Sequence, residues 1–313
     1  MIIDSFPEVI RIEPSGICNF RCVHCSSHHI NSQRGLLSVE LFDSIFEGQF
    51  KENSYAPRIV VLYHGGEPLL NDNIQYFVRK AKETGASVKI VSNASHLTIG
   101  VAKELLQVKL DFIEFSFDGT SSIENDALRL GGNFERDSAN VLSLLDLIKE
   151  QSSNLQVSIS NVQIYTQKQL EQYNEFGTVI DIPLYLKDRF KGYSIDYKSF
   201  PAMKWPSYNI NYAPNKYDVL SFPSTTPVNY CSNSFETATI LSNGDVVPCC
   251  YDINGVVVFG NVKKDNIFAI WESKDAQQFR QSIRNGNPPE LCKECMLFRR
   301  EFLTTQQTIE ISI

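Results

Sequence analysis

No stretch of the sequence approaches the roughly 20 consecutive apolar residues that a membrane-spanning helix needs. Its opening, MIIDSFPEVI, lacks the basic and apolar regions of a secretion signal. A basic tract is missing too: 36 acidic against 29 basic side chains leave a formal charge of −7 over 313 residues. These absences argue against membrane or nucleic acid as a partner and make the cytoplasm the expected location. No internal repeat or low-complexity tract appears. Cysteine is absent from the whole stretch between Cys25 and Cys231.

The eight cysteines that are present fall into two groups, at 18, 22 and 25 and at 231, 249, 250, 292 and 295. Disulfides are rare in the cytosol, so cysteines at close spacing point to metal. Two groups so far apart predict two metal sites on two structural units. With 42% hydrophobic and 21% charged residues, the chain has the composition to bury a substantial core.

From residue 8 to about 200 the pattern alternates. Strands are predicted at 8–15, 58–66, 86–94, 111–119 and 155–164, with a sixth at 181–189 or 193–197. Helices are predicted at 36–50, 73–85, 98–108, 137–151 and 167–178, with Ser38 as an N-cap and Gly85 as a terminator. Such alternation implies parallel βα units. About six units are too few for a closed eight-fold barrel, so the expected fold is α/β, a partial (βα)6 TIM-like barrel. Chemistry in such folds sits at the C-terminal ends of the strands. The cysteine loop follows the first strand and a glycine pair follows the second, at the same mouth. Residues 201–230, rich in Pro, Tyr, Asn and Ser, read as a linker. A small extension follows over 231–313: a β-hairpin turning at Ser242-Asn243-Gly244-Asp245, a strand at 256–262, a helix around 267–283 and the CKEC segment. The core would span 1–200.

Three clustered thiols admit two readings. With His24, His28 or His29 they make a Cys3His zinc site. Alternatively they hold an iron–sulfur cube, which normally takes four thiolates. Three would leave one iron open to a substrate.

The segment Cys18-Asn-Phe-Arg-Cys22-Val-His-Cys25 resembles the CxxxCxxC signature of the radical S-adenosylmethionine (radical SAM) superfamily. Other elements resemble it in the same order. His64-Gly65-Gly66-Glu67-Pro68 matches the GGEP element, and Ser92-Asn93 the "TNG" position. Ser116-Phe117-Asp118-Gly119 looks like S-x-DG. Arg129 stands where many members place a SAM-contacting arginine. The resemblance covers residues 8 to about 165.

The resemblance implies that Cys18, Cys22 and Cys25 hold three irons of a [4Fe–4S] cluster while SAM chelates the fourth. His24 would contact the adenine, or is a solvated loop residue. Gly65 and Gly66 would let the backbone approach the methionine amino group, with Glu67 orienting that backbone or meeting the amino group and Pro68 fixing the turn. A simple βα turn is the plainer reading of the glycines. Asn93, Ser116 and Asp118 would reach the ribose or carboxylate, or are caps and turns. Arg129 would clamp a carboxylate, or form a surface ion pair. Cleavage of reduced SAM would give methionine and a 5′-deoxyadenosyl radical that abstracts a hydrogen atom.

Cys231, Cys249, Cys292 and Cys295, with Gly244 five residues before Cys249, resemble the SPASM extension or its shortened form, twitch. No further CxxC follows Cys295, so one auxiliary [4Fe–4S] cluster is expected. A structural zinc on the same thiols is the alternative. Cys250 is left over, either a buried small hydrophobe or a hydrogen-atom donor, unless it exchanges roles with Cys249.

The function expected is a radical SAM oxidoreductase or epimerase that dehydrogenates or epimerises a small polar molecule such as a sugar or aminocyclitol. Only 17 residues precede Cys18, which counts against a peptide substrate without excluding a maturase of a ribosomally made peptide. The third possibility is a non-catalytic iron–sulfur or zinc scaffold. A flavodoxin- or ferredoxin-type electron donor is implied by the resemblance. Tyr63, Trp205 and Tyr251 are substrate-facing candidates by position, with core packing as their plainer role.

Overall fold

The structure, a computed structural model, describes residues 5–27, 34–171, 181–203, 205–206, 217–222, 229–293, 295 and 300–305. Its strands are β1 (Val9–Ile12), β2 (Arg21–Cys22), β3 (Ile59–Leu62), β4 (Ser87–Ser92), β5 (Phe112–Ser116), β6 (Arg129–Leu130), β7 (Gln156–Gln163), β8 (Asp196–Pro201), β9 (Tyr217–Phe222), β10 (Thr237–Ile240), β11 (Asp245–Val247), β12 (Gly260–Asn261) and β13 (Arg300–Thr305). One sheet orders nine of them as β12-β11-β10-β1-β3-β4-β5-β7-β8. The six strands from β1 to β8 run parallel, as the βα alternation predicts. Two short antiparallel pairs, β2 with β6 and β9 with β13, lie outside this sheet.

Strand periodicity sorts the sheet's two faces. Ile10, Ile12, Val60, Leu62, Val88, Ile90, Ile113, Phe115, Val157 and Ile159 join one core with the helices, through residues such as Phe42, Phe77, Leu105, Val141 and Leu144. Phe42 stacks on Phe46 and Phe77 at centroid distances of 4.3 and 4.7 Å. The opposite, inner face carries Arg11, Lys89, Glu114, Ser116 and Ser158 and is far more polar.

The sixth strand is Asp196–Pro201, while Leu184–Arg189 is helical. The helix expected at 36–50 is α-helical only over Val39–Asp43 and continues as a π-helix through Phe50. Ser38 caps it by accepting from the Leu41 amide at 3.2 Å. Gly85 ends the second crossover helix at φ +86°. Of the helix expected at 167–178, Gln167–Glu171 is described and the rest lies outside the described residues.

The extension departs from expectation in two places. The strand predicted at 256–262 shrinks to Gly260–Asn261. The Asp252 carboxylate accepts the amides of Val256 and Val257, both at 2.9 Å, so these cannot enter a ladder. The helix predicted at 267–283 is two, Ile267–Trp271 and Lys274–Arg284, because Ser273 starts the second by accepting from the Ala276 amide. The hairpin does form, between β10 and β11, and β10 pairs in parallel with β1. The extension thereby prolongs the barrel sheet.

Candidate functional site

β1 delivers the chain to the cysteine loop, and a turn held by the Ser15 hydroxyl, which donates to the Ile17 carbonyl at 2.8 Å, leads into Cys18. Within the loop, β2 pairs with β6, setting Cys22 opposite Arg129. The glycine loop after β3 lies directly against this turn. A Cβ on Gly66 would stand 2.2 Å from the Ser15 carbonyl oxygen and 2.4 Å from that of Ile17. The Glu67 amide donates to the Ile17 carbonyl at 2.9 Å. Only glycine permits this backbone-on-backbone approach.

Glu67 is 2% exposed and its carboxylate is fully engaged. One oxygen accepts the Ser92 hydroxyl at 2.7 Å and the Leu69 amide at 3.0 Å, and the other accepts the Asn93 amide at 2.7 Å. Burial raises its pKa, and the Asn93 amide is the strongest influence opposing that rise. The acid thus ties the end of β3 to the end of β4, and Pro68 starts the 3-10 turn that follows. Asn93 reaches the cysteine loop, donating to the Asn19 side chain at 3.0 Å, with its amide nitrogen 3.9 Å from the Cys18 sulfur.

After β5, Asp118 is fully buried. It accepts Arg129 Nη1 at 2.7 Å and the Val162 amide at 3.1 Å, and His24 Nε2 lies 3.6 Å away. In this structure Asp118 and Arg129 therefore spend their charges on each other. Burial alone would lower the Arg129 pKa, but Cys22 and Asp118 outweigh it and the value is raised. Burial lowers the pKa of His24 despite Asp118, and its Nδ1 is buried without a partner. Ser116 sits on the inner face, 3.4 Å from the Ser160 hydroxyl. His28 and His29 lie outside the described residues.

All eight cysteines are described and none forms a disulfide. Burial raises Cys18 to about 11 and raises Cys22 further, while Arg129 pulls in the opposite direction. Three thiols in one loop, beside a buried guanidinium, suit a group that leaves them deprotonated and negatively charged. Among the described residues no three of His, Cys, Asp or Glu are gathered as a single metal ion requires. A cube asks less, because each of its ligands takes a separate iron.

In the extension, Cys231, Cys249, Cys292 and Cys295 are all buried. Burial raises Cys249 well above the ordinary thiol value, and Cys250, Cys295 and Cys292 add to the rise. Cys292 is also raised by burial and then by Cys295 and Cys231. All five thiols of the extension, Cys250 included, thus lie within electrostatic reach of one or more of the others. Cys250 is raised by burial and also by Cys231; it donates to the Asn233 side chain at 3.4 Å, and Arg11 is the group that most opposes the rise of its pKa.

The two cysteine sets are joined by Glu13 and Arg34, which the sequence reading missed, and by Trp205 and Tyr251, which it named by position alone. Glu13, fully buried, accepts the Gly65 amide at 3.0 Å on one oxygen and the Ser242 amide and hydroxyl at 3.1 and 3.0 Å on the other. Arg34 lies 3.4 Å from Glu13 and donates to the Ile253 carbonyl. Trp205 donates to the His24 carbonyl at 2.8 Å while its ring lies 5.9 Å from that of Tyr251. The available signal was Arg11 and Glu13 two positions apart, alternating with the apolar Ile10 and Ile12, which puts two charges on one face.

Residues 12–175 match the family model of the radical SAM superfamily, and residues 231–296 match the iron–sulfur cluster-binding SPASM domain. The chain is 25% identical over 317 residues to a tungsten-containing aldehyde ferredoxin oxidoreductase cofactor-modifying protein of Pyrococcus furiosus, spanning 91% of this chain and 86% of that one. Its fold is similar to that of BtrN in complex with AdoMet and 2-DOIA, with a TM-score of 0.57 at 19% identity over 94% of each chain. It is similar also to Streptococcus suis SuiB bound to precursor peptide SuiA, with a TM-score of 0.56 at 18% identity over 89% of this chain and 67% of that one. With its three-cysteine loop, its glycine cradle and its auxiliary thiols on one sheet, the chain belongs to the radical SAM superfamily, with SAM and iron–sulfur clusters as its cofactors and a SPASM domain at its C-terminal side.

Proposed function

We propose that this enzyme oxidises a small polar molecule held on the inner face of the sheet, between the two cysteine sets. One observation carries the reading: β10 is paired to β1, so the segment bearing Cys249 and Cys250 lies beside Arg11 on the inner face, and Trp205 links that segment's Tyr251 to the cysteine loop at His24. In this reading Cys18, Cys22 and Cys25 hold the SAM-binding cluster and Cys231, Cys249, Cys292 and Cys295 the auxiliary one. When bound, the first cluster and SAM supply hydrogen-atom abstraction and the second accepts an electron. Loss of a hydrogen atom, an electron and a proton makes the reaction a dehydrogenation.

The protein's own groups would position and shield. Gly65 and Gly66 offer backbone to SAM, and Glu67 keeps that backbone in place from beneath. Arg129, neutralised by Asp118, braces the cysteine loop through Cys22, and His24 borders the adenine. Trp205 closes the gap between loop and extension against water. Cys250, outside the four-thiol set, is the remaining group able to return a hydrogen atom, which would convert oxidation into epimerisation. A small substrate agrees with a relative named for modifying a cofactor. A peptide substrate is the second reading, favoured by the likeness to SuiB, whose structure holds a precursor peptide. The electron donor would be a flavodoxin or ferredoxin.

Anaerobic reconstitution tests the reading. About eight irons per chain, with 5′-deoxyadenosine formed from SAM and dithionite, are expected for two cubes. Zinc in place of iron, with no SAM cleavage, would refute it.

A further inference from the structure

Most buried polar atoms in a folded protein have a hydrogen-bond partner, so a local group that lacks one is informative. Such a group lies on the inner face beside the extension. Arg11 is 7% exposed; its Nε and Nη1 have no hydrogen-bond partner, while the rest of the guanidinium contacts Tyr63 and lies within electrostatic reach of Cys250 and Cys249. Thr239, which pairs with Arg11 across β1 and β10 and so shares its face, has a buried, unbonded hydroxyl. His64 has both ring nitrogens buried beside the Asp252 backbone without a well-formed hydrogen bond, and lies within electrostatic reach of Arg11. Leaving a guanidinium so undersatisfied is costly unless an acceptor arrives.

The charges nearby indicate which acceptor. Arg11 lies over the Tyr63 ring at 5.6 Å, and Tyr63 is within reach of Glu114. Glu114 is the carboxylate on this part of the face, and two lysines share one of its oxygens: Lys89 at 2.8 Å and Lys198 at 3.2 Å. Ser158 donates to the same oxygen at 3.3 Å. The Glu13–Arg34 pair is self-neutralising. Three cations therefore face one carboxylate across the floor of the proposed substrate site, with the Cys249 and Cys250 thiols bordering Arg11 on the extension side.

We propose that this face binds an oxyanion of the substrate, a carboxylate or a phosphate, with Arg11 as its anchor and Lys89 and Lys198 as the field that draws it in. A guanidinium offers two parallel N–H groups matched to such an anion, and here the two unbonded nitrogens are ready to donate. Thr239 and His64 complete the cradle as neutral donors. The inference rests on the enzymatic reading above and narrows its substrate class from polar to acidic.

The test is calorimetry on the reconstituted holoenzyme with SAM, using inorganic phosphate and sodium acetate separately, at ionic strength fixed with chloride. At least one should bind saturably with a Kd on the order of millimolar, and which one does identifies the anion. R11M should weaken binding about tenfold or more and R11K less, because an ammonium cannot fork. K89M should weaken it about threefold through the field alone, and K103M, on a remote helix, should leave it unchanged. No saturable binding of either anion to the wild type would overturn the proposal. So would equal binding by R11K, K89M and wild type, even if R11M loses its iron. An R11M protein that binds anion normally but has a shifted auxiliary-cluster potential would assign Arg11 to the cluster and also overturn it. Formation of 5′-deoxyadenosine by the wild type, assayed in parallel, separates the two failures: its absence sinks the enzymatic reading, whereas its presence without anion binding sinks only this one.

Discussion

Gly66→Ala is the sharpest test of how the cysteine loop is held. The new methyl group would sit 2.2 Å from the Ser15 carbonyl oxygen, against 3.4 Å for the onset of ordinary contact. The two surfaces must part by the difference, about 1.2 Å. Neither side yields easily, because both are backbone: the Ile17 carbonyl accepts the Glu67 amide and the Ser15 hydroxyl, and Glu67 is anchored to β4. Overpacking of this kind costs about 1–3 kcal/mol. The larger effect falls on chemistry, because the displaced residue Ile17 adjoins Cys18. A shift of about 1 Å at a reacting centre can cost roughly a hundredfold in rate. The assay is 5′-deoxyadenosine formation per iron, alongside urea unfolding. Gly48→Ala is the control: a Cβ there meets nothing within 4 Å, and helical Gly→Ala is stabilising by about 0.5–1 kcal/mol. If G66A cleaves SAM at the wild-type rate and unfolds at the wild-type midpoint, the backbone cradle is not what positions the loop.

Further outcomes can be checked with the same preparation. Asp118→Asn leaves a buried Arg129 unpaired and should cost about 3–5 kcal/mol in urea unfolding; a loss under about 1 kcal/mol would mean the pair is not a structural strut. His64, with a pKa lowered to about 3 by burial and by the charges of Arg11 and Arg34, stays neutral in the folded state where the unfolded chain takes up a proton. Its contribution is complete above the unfolded value near 6.5 and is lost as pH falls from there toward 3. The Tm of His64→Phe relative to wild type should therefore rise as pH drops through that window, and a constant difference would contradict the burial argument. Replacing Cys18, Cys22 and Cys25 together by Ala should abolish SAM cleavage while about four irons remain on the extension; complete loss of iron would show that the two sites fold as one.

The sequence made the barrel readable because its helices and strands have different periods and alternate without interruption. The cysteine loop, the GGEP element and the residues after β4 and β5 were equally readable, since each is a short local string at a strand end. What escaped was long-range. Nothing local to 236–250 says that Thr237–Ile240 will pair with Val9–Ile12, a match made by burial and shape across the whole chain. The sequence allows Arg129 an ion pair but does not say that its partner is Asp118 or that both are buried; the β2–β6 pairing brings Arg129 to the buried carboxylate after β5. The 256–262 strand failed because a single buried carboxylate, Asp252, claimed its amides first.

The pairing of β10 with β1 also has a bearing on biogenesis. Until residues 237–240 have left the ribosome, the second edge of β1 is open, and Val9–Ile12 presents unpaired amides and carbonyls beside Ile10 and Ile12. Most of the chain must be translated before that edge is covered, and nascent chains with open apolar edges are prone to aggregate or to need chaperones. The Glu13 carboxylate waits equally long for Ser242, 229 residues downstream, and lacks two of its three hydrogen bonds until then. A barrel fragment ending near residue 200 should accordingly behave as an aggregation-prone half rather than as an independent module, so the cell must synthesise the auxiliary end of this enzyme before it possesses a finished beginning.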